Sequence, residues 1–177
     1  DDSFLEEYQQ TDNYGLIVGI NNHEKNEIIF VENINTENHS VLFEVEYDGS
    51  GNSYLDDITE NKYGTLNVVA GNSQWTYSED YKIQTAEENY KLYTYTKNGS
   101  LNIIDLGTYD TYWEYEKESW RNLEERSTDF FLWNDDDGDT WLVKDYTYYK
   151  DGDGYDFYEA FILDDDFNID DEADLTL

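Results

Sequence analysis

A mostly β protein is what the sequence predicts: an antiparallel meander forming a sandwich or barrel, with at most one short helix near 116–127. Three observations carry this. Apolar and polar residues alternate at period two through much of the chain, the pattern of half-buried strands. Aromatic residues are abundant (Tyr 18, Phe 8, Trp 5) and recur beside Val, Ile and Leu, which suits pleated surfaces. Clusters of Asp, Asn and Gly punctuate the apolar runs where tight turns are needed.

The elements follow in order. Residues 14–20 (YGLIVGI) and 26–32 (NEIIFVE) read as strands joined by the polar turn Asn21-Asn22-His23-Glu24-Lys25. In Ser40 to Asp48, Val41, Phe43, Val45 and Tyr47 fall on one face, and Leu42, Glu44, Glu46 and Asp48 on the other. Further strands are expected at 64–70, 73–78, 80–85, 90–97, 100–106 and 108–115. Asn98-Gly99 reads as a two-residue hairpin turn, both positions needing to tolerate φ > 0. Residues 116–127 read as a helix, with Trp120 and Leu123 three apart and Arg121 and Glu125 four apart. Strands at 129–133, 140–149 and 155–163 complete a second meander. In the last, Tyr155, Phe157, Phe161 and Leu163 share a face with Glu159.

The 177 residues suit one β-rich domain over 1–163, followed by an acidic C-terminal tail over 164–177 read as a solvated end. Ten Lys+Arg stand against 43 Asp+Glu, a formal net charge of −33. Charge is densest at the end: residues 134–177 hold 16 acids and two bases. No basic patch is available to neutralise phosphates, so direct nucleic-acid binding is excluded. No apolar run is long enough for a transmembrane helix. Absence of Cys removes disulfides, thiolate zinc sites and a cysteine nucleophile. The chain begins Asp1-Asp2-Ser3 without Met, which suits a processed or trimmed chain and a secreted or cell-surface setting. Charges at this density repel, so the fold is expected to gain from salt or divalent cations. Without Pro to blunt its edge strands, the sheet must block them with charge, close on itself, or pair with another copy.

Three Asp/Gly segments carry the metal expectation. The first holds Asp48, Asn52 and Asp56, the second Asp135, Asp137 and Asp139, the third Asp151, Asp153 and Asp156, followed by Glu159. Calcium takes six to eight oxygen ligands, and acids at alternate positions with a bending Gly supply them. Asp135-x-Asp137-Gly138-Asp139 resembles the D-x-D-G-D core of calcium loops in several extracellular repeat families, although Thr140 and Val143 stand where a Gly and a closing Asp are common. Each segment reads equally as a β-turn.

Catalytic signatures are weak. His23-Glu24-x-x-Glu27 lacks the second His of a zincin, and no G-x-S-x-G accompanies the two His residues. Paired carboxylates for glycoside hydrolysis have no positional signal among so many acids. The expectation is therefore a non-catalytic structural or adhesive β-domain, capable of self-assembly by edge-strand pairing and stabilised by calcium. Two alternatives come from other classes. One is a carbohydrate-binding module using exposed rings among Tyr93, Tyr95, Tyr146, Tyr148, Tyr158, Trp75 and Trp113. The other is an acidic mimic of nucleic acid that occupies a basic protein.

Overall fold

A computed structural model describes the backbone of residues 4–21, 26–33, 38–45, 52–116, 118–163 and 169–173. The described residues are all-β, and within each sheet every strand pairs antiparallel with its neighbours in the chain. β1 (Phe4–Thr11), β2 (Gly15–Asn21), β3 (Asn26–Asn33) and β4 (Asn38–Val45) form a four-stranded sheet in that order. An eight-stranded meander follows: β5 (Asn52–Glu60), β6 (Leu66–Tyr77), β7 (Ile83–Tyr95), β8 (Leu101–Glu116), β9 (Arg121–Asn134), β10 (Thr140–Lys150), β11 (Asp153–Leu163) and β12 (Ile169–Ala173). Neither sheet closes, and the packing is sandwich-like.

Two cores meet at β6. Leu66, Val68 and Ala70 pack with Ile17, Phe43, Val45, Leu55, Ile58 and Tyr93, joining the small sheet to the large one. Val69 points the other way, into a core with Tyr90, Leu92, Phe130, Leu132, Leu142 and Leu163. A strand covered on both sides has no solvent face, so its sequence runs apolar instead of alternating. That is why Leu66-Asn67-Val68-Val69-Ala70 is buried throughout.

Long strands then divide the large sheet. β8 and β9 pair only over Tyr112–Glu116 and Arg121–Arg126. Beyond that point β8 stays with β7 and β9 stays with β10. One edge of β9 is left to find partners, since buried backbone groups must be hydrogen-bonded. Side chains supply them. The Tyr90 hydroxyl donates to the Thr128 carbonyl at 2.8 Å, and the Leu132 N–H donates to Asp57 Oδ2 at 2.8 Å. Asn134 Nδ2 donates to Thr59 Oγ1 at 2.7 Å and to the Glu60 carbonyl at 2.8 Å. A backbone bond from Lys62 N–H to the Gly138 carbonyl at 2.9 Å ends the seam.

The helix expected over 116–127 is a hairpin turn and the first half of β9. Trp120 sits at φ 50°, in left-handed backbone incompatible with a helix, and β9 is paired on both sides here. A helix this short has little stability of its own, whereas two flanking strands satisfy its backbone completely. The expected strands 100–106 and 108–115 are one strand, β8, with a bulge at Leu106 where Tyr90 faces Gly107 and Lys91 faces Asp105. Segments 73–78 and 80–85 are likewise the end of β6 and the start of β7. β1 and β5 were not legible as strands, and β12 forms inside the acidic tail by pairing with β11. Residues 46–50, with Tyr47 and Asp48, lie outside the described residues, as do 22–25 with His23.

Bulges account for two departures in side-chain direction. In β4 the extra residue is Leu42, which turns Val41 out to 45 % exposure while Phe43 and Val45 stay in the core. In β5 the extra residue is Asp56, which places Leu55 and Ile58, three apart, in the same core.

Asp57→Ala should destabilise the protein by about 1–3 kcal/mol, the cost of leaving a buried backbone donor unmet. Gly71→Ala should cost a similar amount, about 1–3 kcal/mol, because its Cβ would lie 2.5 Å from the Tyr54 ring. Urea unfolding of both variants measures this; a change near zero for Asp57→Ala would show that the seam does not hold β9.

Candidate functional site

Three hairpin loops share one construction. Asn61–Thr65, Thr96–Ser100 and Asp135–Asp139 are each closed by two backbone bonds of 2.9–3.0 Å, with Gly64, Gly99 and Gly138 at φ 77°, 86° and 80°. Each is a three-residue loop with its left-handed residue supplied by glycine. The Asn98-Gly99 hairpin is therefore present, but it spans Lys97-Asn98-Gly99, and Gly99 alone takes the positive φ. The first residue of each loop caps it. Asn61 Oδ1 accepts from the N–H groups of Tyr63 (3.0 Å) and Thr65 (2.9 Å). Asp135 Oδ1 accepts from Asp137 (3.0 Å) and Asp139 (2.9 Å) in the same way. Its Oδ2 accepts from the Trp141 indole at 3.0 Å. These bonds hold the Asp135 carboxyl below its ordinary range, the Trp141 indole contributing most. Asp139 pairs with Lys62 at 2.7 Å. Asp136 and Asp137 remain exposed.

The other sequence-predicted ligands are spread along strands and turns. Asp151, at φ 49°, and Gly152 form the two-residue β10–β11 turn. Asp153, Asp156 and Glu159 are spaced three residues apart along β11, about 10 Å per step at a strand's rise. Thr147 Oγ1 donates to Asp156 Oδ1 at 3.1 Å, and Lys144 Nζ pairs with Glu159 at 2.9 Å. Asp56 is the bulge residue of β5; of Asn52 only the backbone is described. Among the described residues no three acidic or histidine side chains are placed to share one metal ion.

Carboxylates do meet in pairs. Glu87 faces Asp110, Glu114 faces Glu124, and Asp129 faces Asp145 directly across neighbouring strands. Like charges in this register are destabilising. Lys150 offsets one pair, donating to Glu124 Oε2 at 2.9 Å. Around Asp129 and Asp145 the neighbouring charges are Glu125 and Asp156, both negative. Asp145 Oδ1 is buried with no hydrogen-bond partner among the described residues. Desolvation chiefly raises both carboxyls above their usual range; for Asp145 the like charges add to it, and for Asp129 a hydrogen bond from the Tyr90 hydroxyl at 3.2 Å opposes it while Glu125 adds to it. Nearby Glu88 is buried, takes hydrogen bonds from the hydroxyls of Thr111 and Tyr54, and is raised chiefly by desolvation.

The aromatic candidates divide. Tyr93 is buried, and Tyr95 packs against the first core. Trp75 and Trp113 stack on each other at 4.7 Å. Tyr146, Tyr148 and Tyr158 are half-buried. Exposed rings occur at both ends of the large sheet: Tyr63 and Trp133 at the glycine loops, and Tyr77, Tyr81, Trp120, Tyr155 and Phe157 toward the other end. Two open grooves lie there. One of about 480 Å³ is lined by Thr76, Thr85, Glu87, Asp110, Tyr112 and Arg126, whose guanidinium lies 4.8 Å from the Tyr112 ring centroid. The other, about 530 Å³, includes Asn122, Glu125, Thr147, Tyr149, Tyr155 and Asp156. Tyr149 is not among the sequence candidates, and Tyr155 reads only as part of a strand face with Phe157, Phe161 and Leu163, because nothing local distinguishes a groove tyrosine from a paired one. No protein-family model, curated protein or solved structure matches the chain.

Asp135→Asn should cost less thermal stability than Asp135→Ala, because it keeps the capping oxygen, as Asn61 does, and loses the acceptor for the Trp141 indole. Asp135→Ala should lower the melting temperature by a few degrees. Calorimetric melting of the two variants checks both expectations; equal losses would contradict the capping role.

Stability should also rise as the solution is acidified from neutral pH. Glu88, Asp129 and Asp145 bind their protons more tightly folded than unfolded. Their ionisation therefore penalises the fold above the folded pKa, and the penalty fades as pH falls toward the ordinary 4.5 for Glu and 3.8 for Asp. Asp80 and Asp135 are lowered in the fold, so their contribution is lost below the ordinary 3.8. The melting temperature should peak between these windows, and a flat profile from neutrality to that point would contradict it.

Proposed function

We propose that this chain is a non-catalytic structural or adhesive β-domain of a secreted or cell-surface protein, stabilised by calcium. The observation that carries the reading is the opposed pair Asp129–Asp145. Its like charges are aggravated by Glu125 and Asp156, in a chain with 43 acids and ten Lys+Arg. A divalent cation bridging two carboxylates, with water completing its shell, relieves such a pair without a closed protein cage. A millimolar-calcium exterior supplies that ion. The acidic turn residues Asp136, Asp137, Asp151 and Asp153 add exposed oxygens along both ends of the molecule. Self-assembly would use the outer strands β4 or β12, with cations between copies because bare like charges across an interface are costly.

Calcium chloride should raise the melting temperature well beyond sodium chloride of matched ionic strength. Asp145→Asn should raise the melting temperature in low salt by several degrees and shrink the calcium increment. Screening should remove most of the mutational gain near 1 M NaCl, where the Debye length is about 3 Å. Scanning calorimetry across the two salts decides it. Equal stabilisation by both salts would leave the acids as solvated surface and remove calcium from the reading.

A further inference from the structure

One face of the large sheet stays open where the second core ends. Directly opposed residues in an antiparallel sheet share a face. Across β6 to β11 the register sets Tyr77, Gln84, Trp113, Glu125, Tyr149 and Gly154 in one row. Strands are spaced about 4.8 Å apart, so the rings of Tyr77, Trp113 and Tyr149 originate on alternate strands, about 10 Å from one to the next. Gln84 and Glu125 stand between them, and Gly154 leaves the last position open. Adjoining rows add Trp75, stacked on Trp113, and the pair Tyr115–Asn122. Asn122 lines the 530 Å³ groove, and its Oδ1 is buried without a hydrogen-bond partner among the described residues. Tyr149 and Gly154 of the row line the same groove. Tyr155, 58 % exposed, faces Tyr148 and so stands on the opposite face of the sheet.

We propose that this face binds a neutral polysaccharide lying across the strands. Aromatic rings offer apolar faces to the C–H surfaces of sugar rings. The polar groups between them offer acceptors: the carboxylates of Glu125 and Asp156 each keep one oxygen beyond the one that already accepts from Asn122 Nδ2 or Thr147 Oγ1. The same carboxylates repel uronates and other anionic sugars, as does the net charge of −33. The open groove admits a chain that enters and leaves, which suits polymers over a single enclosed sugar. This deepens the adhesive reading and rests on it, naming the ligand that such a domain would hold.

Affinity electrophoresis of the intact chain through gels containing hydroxyethyl-cellulose, galactomannan or a soluble α-glucan tests the proposal, with polygalacturonate as the anionic arm. Retardation by at least one neutral polymer and none by polygalacturonate is expected. Tyr77→Ala and Tyr149→Ala should each weaken binding about tenfold; neither ring belongs to a core, so the fold tolerates their loss. Tyr63→Ala, about as exposed as Tyr77 but within the Asn61–Thr65 loop at the other end, should bind as the parent does. Quenching of tryptophan emission by the retarding polymer supplies a second readout at Trp75 and Trp113. No retardation by any neutral polymer, equal retardation by polygalacturonate, or retention of affinity in both tyrosine variants would overturn the proposal. A normal calcium response alongside such a result would remove the glycan alone and leave the adhesive reading standing.

Discussion

Backbone hydrogen bonding at the free edge of β9 is the constraint around which the large sheet is organised. Once β8 and β9 part after Tyr112 and Arg126, β9 keeps β10 on one side and nothing regular on the other. Asp57 and Tyr90 take the place of a partner strand, and Asn134 at the end of β9 reaches across to β5. Each comes from a position fixed by something else. Asp57 follows the β5 bulge, Tyr90 fills the second core, and Asn134 begins the loop that Lys62 meets. The seam thereby couples β5 to β9 across a gap that backbone pairing does not close, and the second core fills behind it.

Electrostatics sets the opposite tendency. The cores are apolar and well covered, yet the large sheet alone places acids opposite acids at three registers. Individual exposed ion pairs such as Lys62–Asp139 are worth little against repulsion spread over the whole surface. The fold therefore depends on its ionic surroundings more than an average β-protein does. The acidic turns fit the same logic in a different way. Asp135 serves its own loop before anything else, and Asn61 in a matching loop shows that the capping needs an oxygen and not a charge.

Much of this was legible from residue order. Alternation in 26–32, 41–45, 90–95, 140–149 and 155–163 gave strands where strands exist, because the period of two reflects which side meets water. Misreadings came where local pattern and long-range pairing disagree. Residues 116–127 have helix-like spacing, but β8 and β10 flank them and Trp120 closes a tight hairpin. β5 looked unstructured because its bulge at Asp56 breaks the alternation. The tail strand β12 reads as a run of acids, and only its pairing with β11 orders it.

The sequence by itself determined the strand-rich class, the turn positions and the charge burden, since these depend on side-chain periodicity, backbone conformational preference and simple composition. Tertiary structure decided which strands run on through an interruption, which acids face one another, and which aromatic rings stay open to solvent. Those outcomes depend on register between segments distant in the chain, and a register is set by the pairing of whole strands rather than by any residue in them.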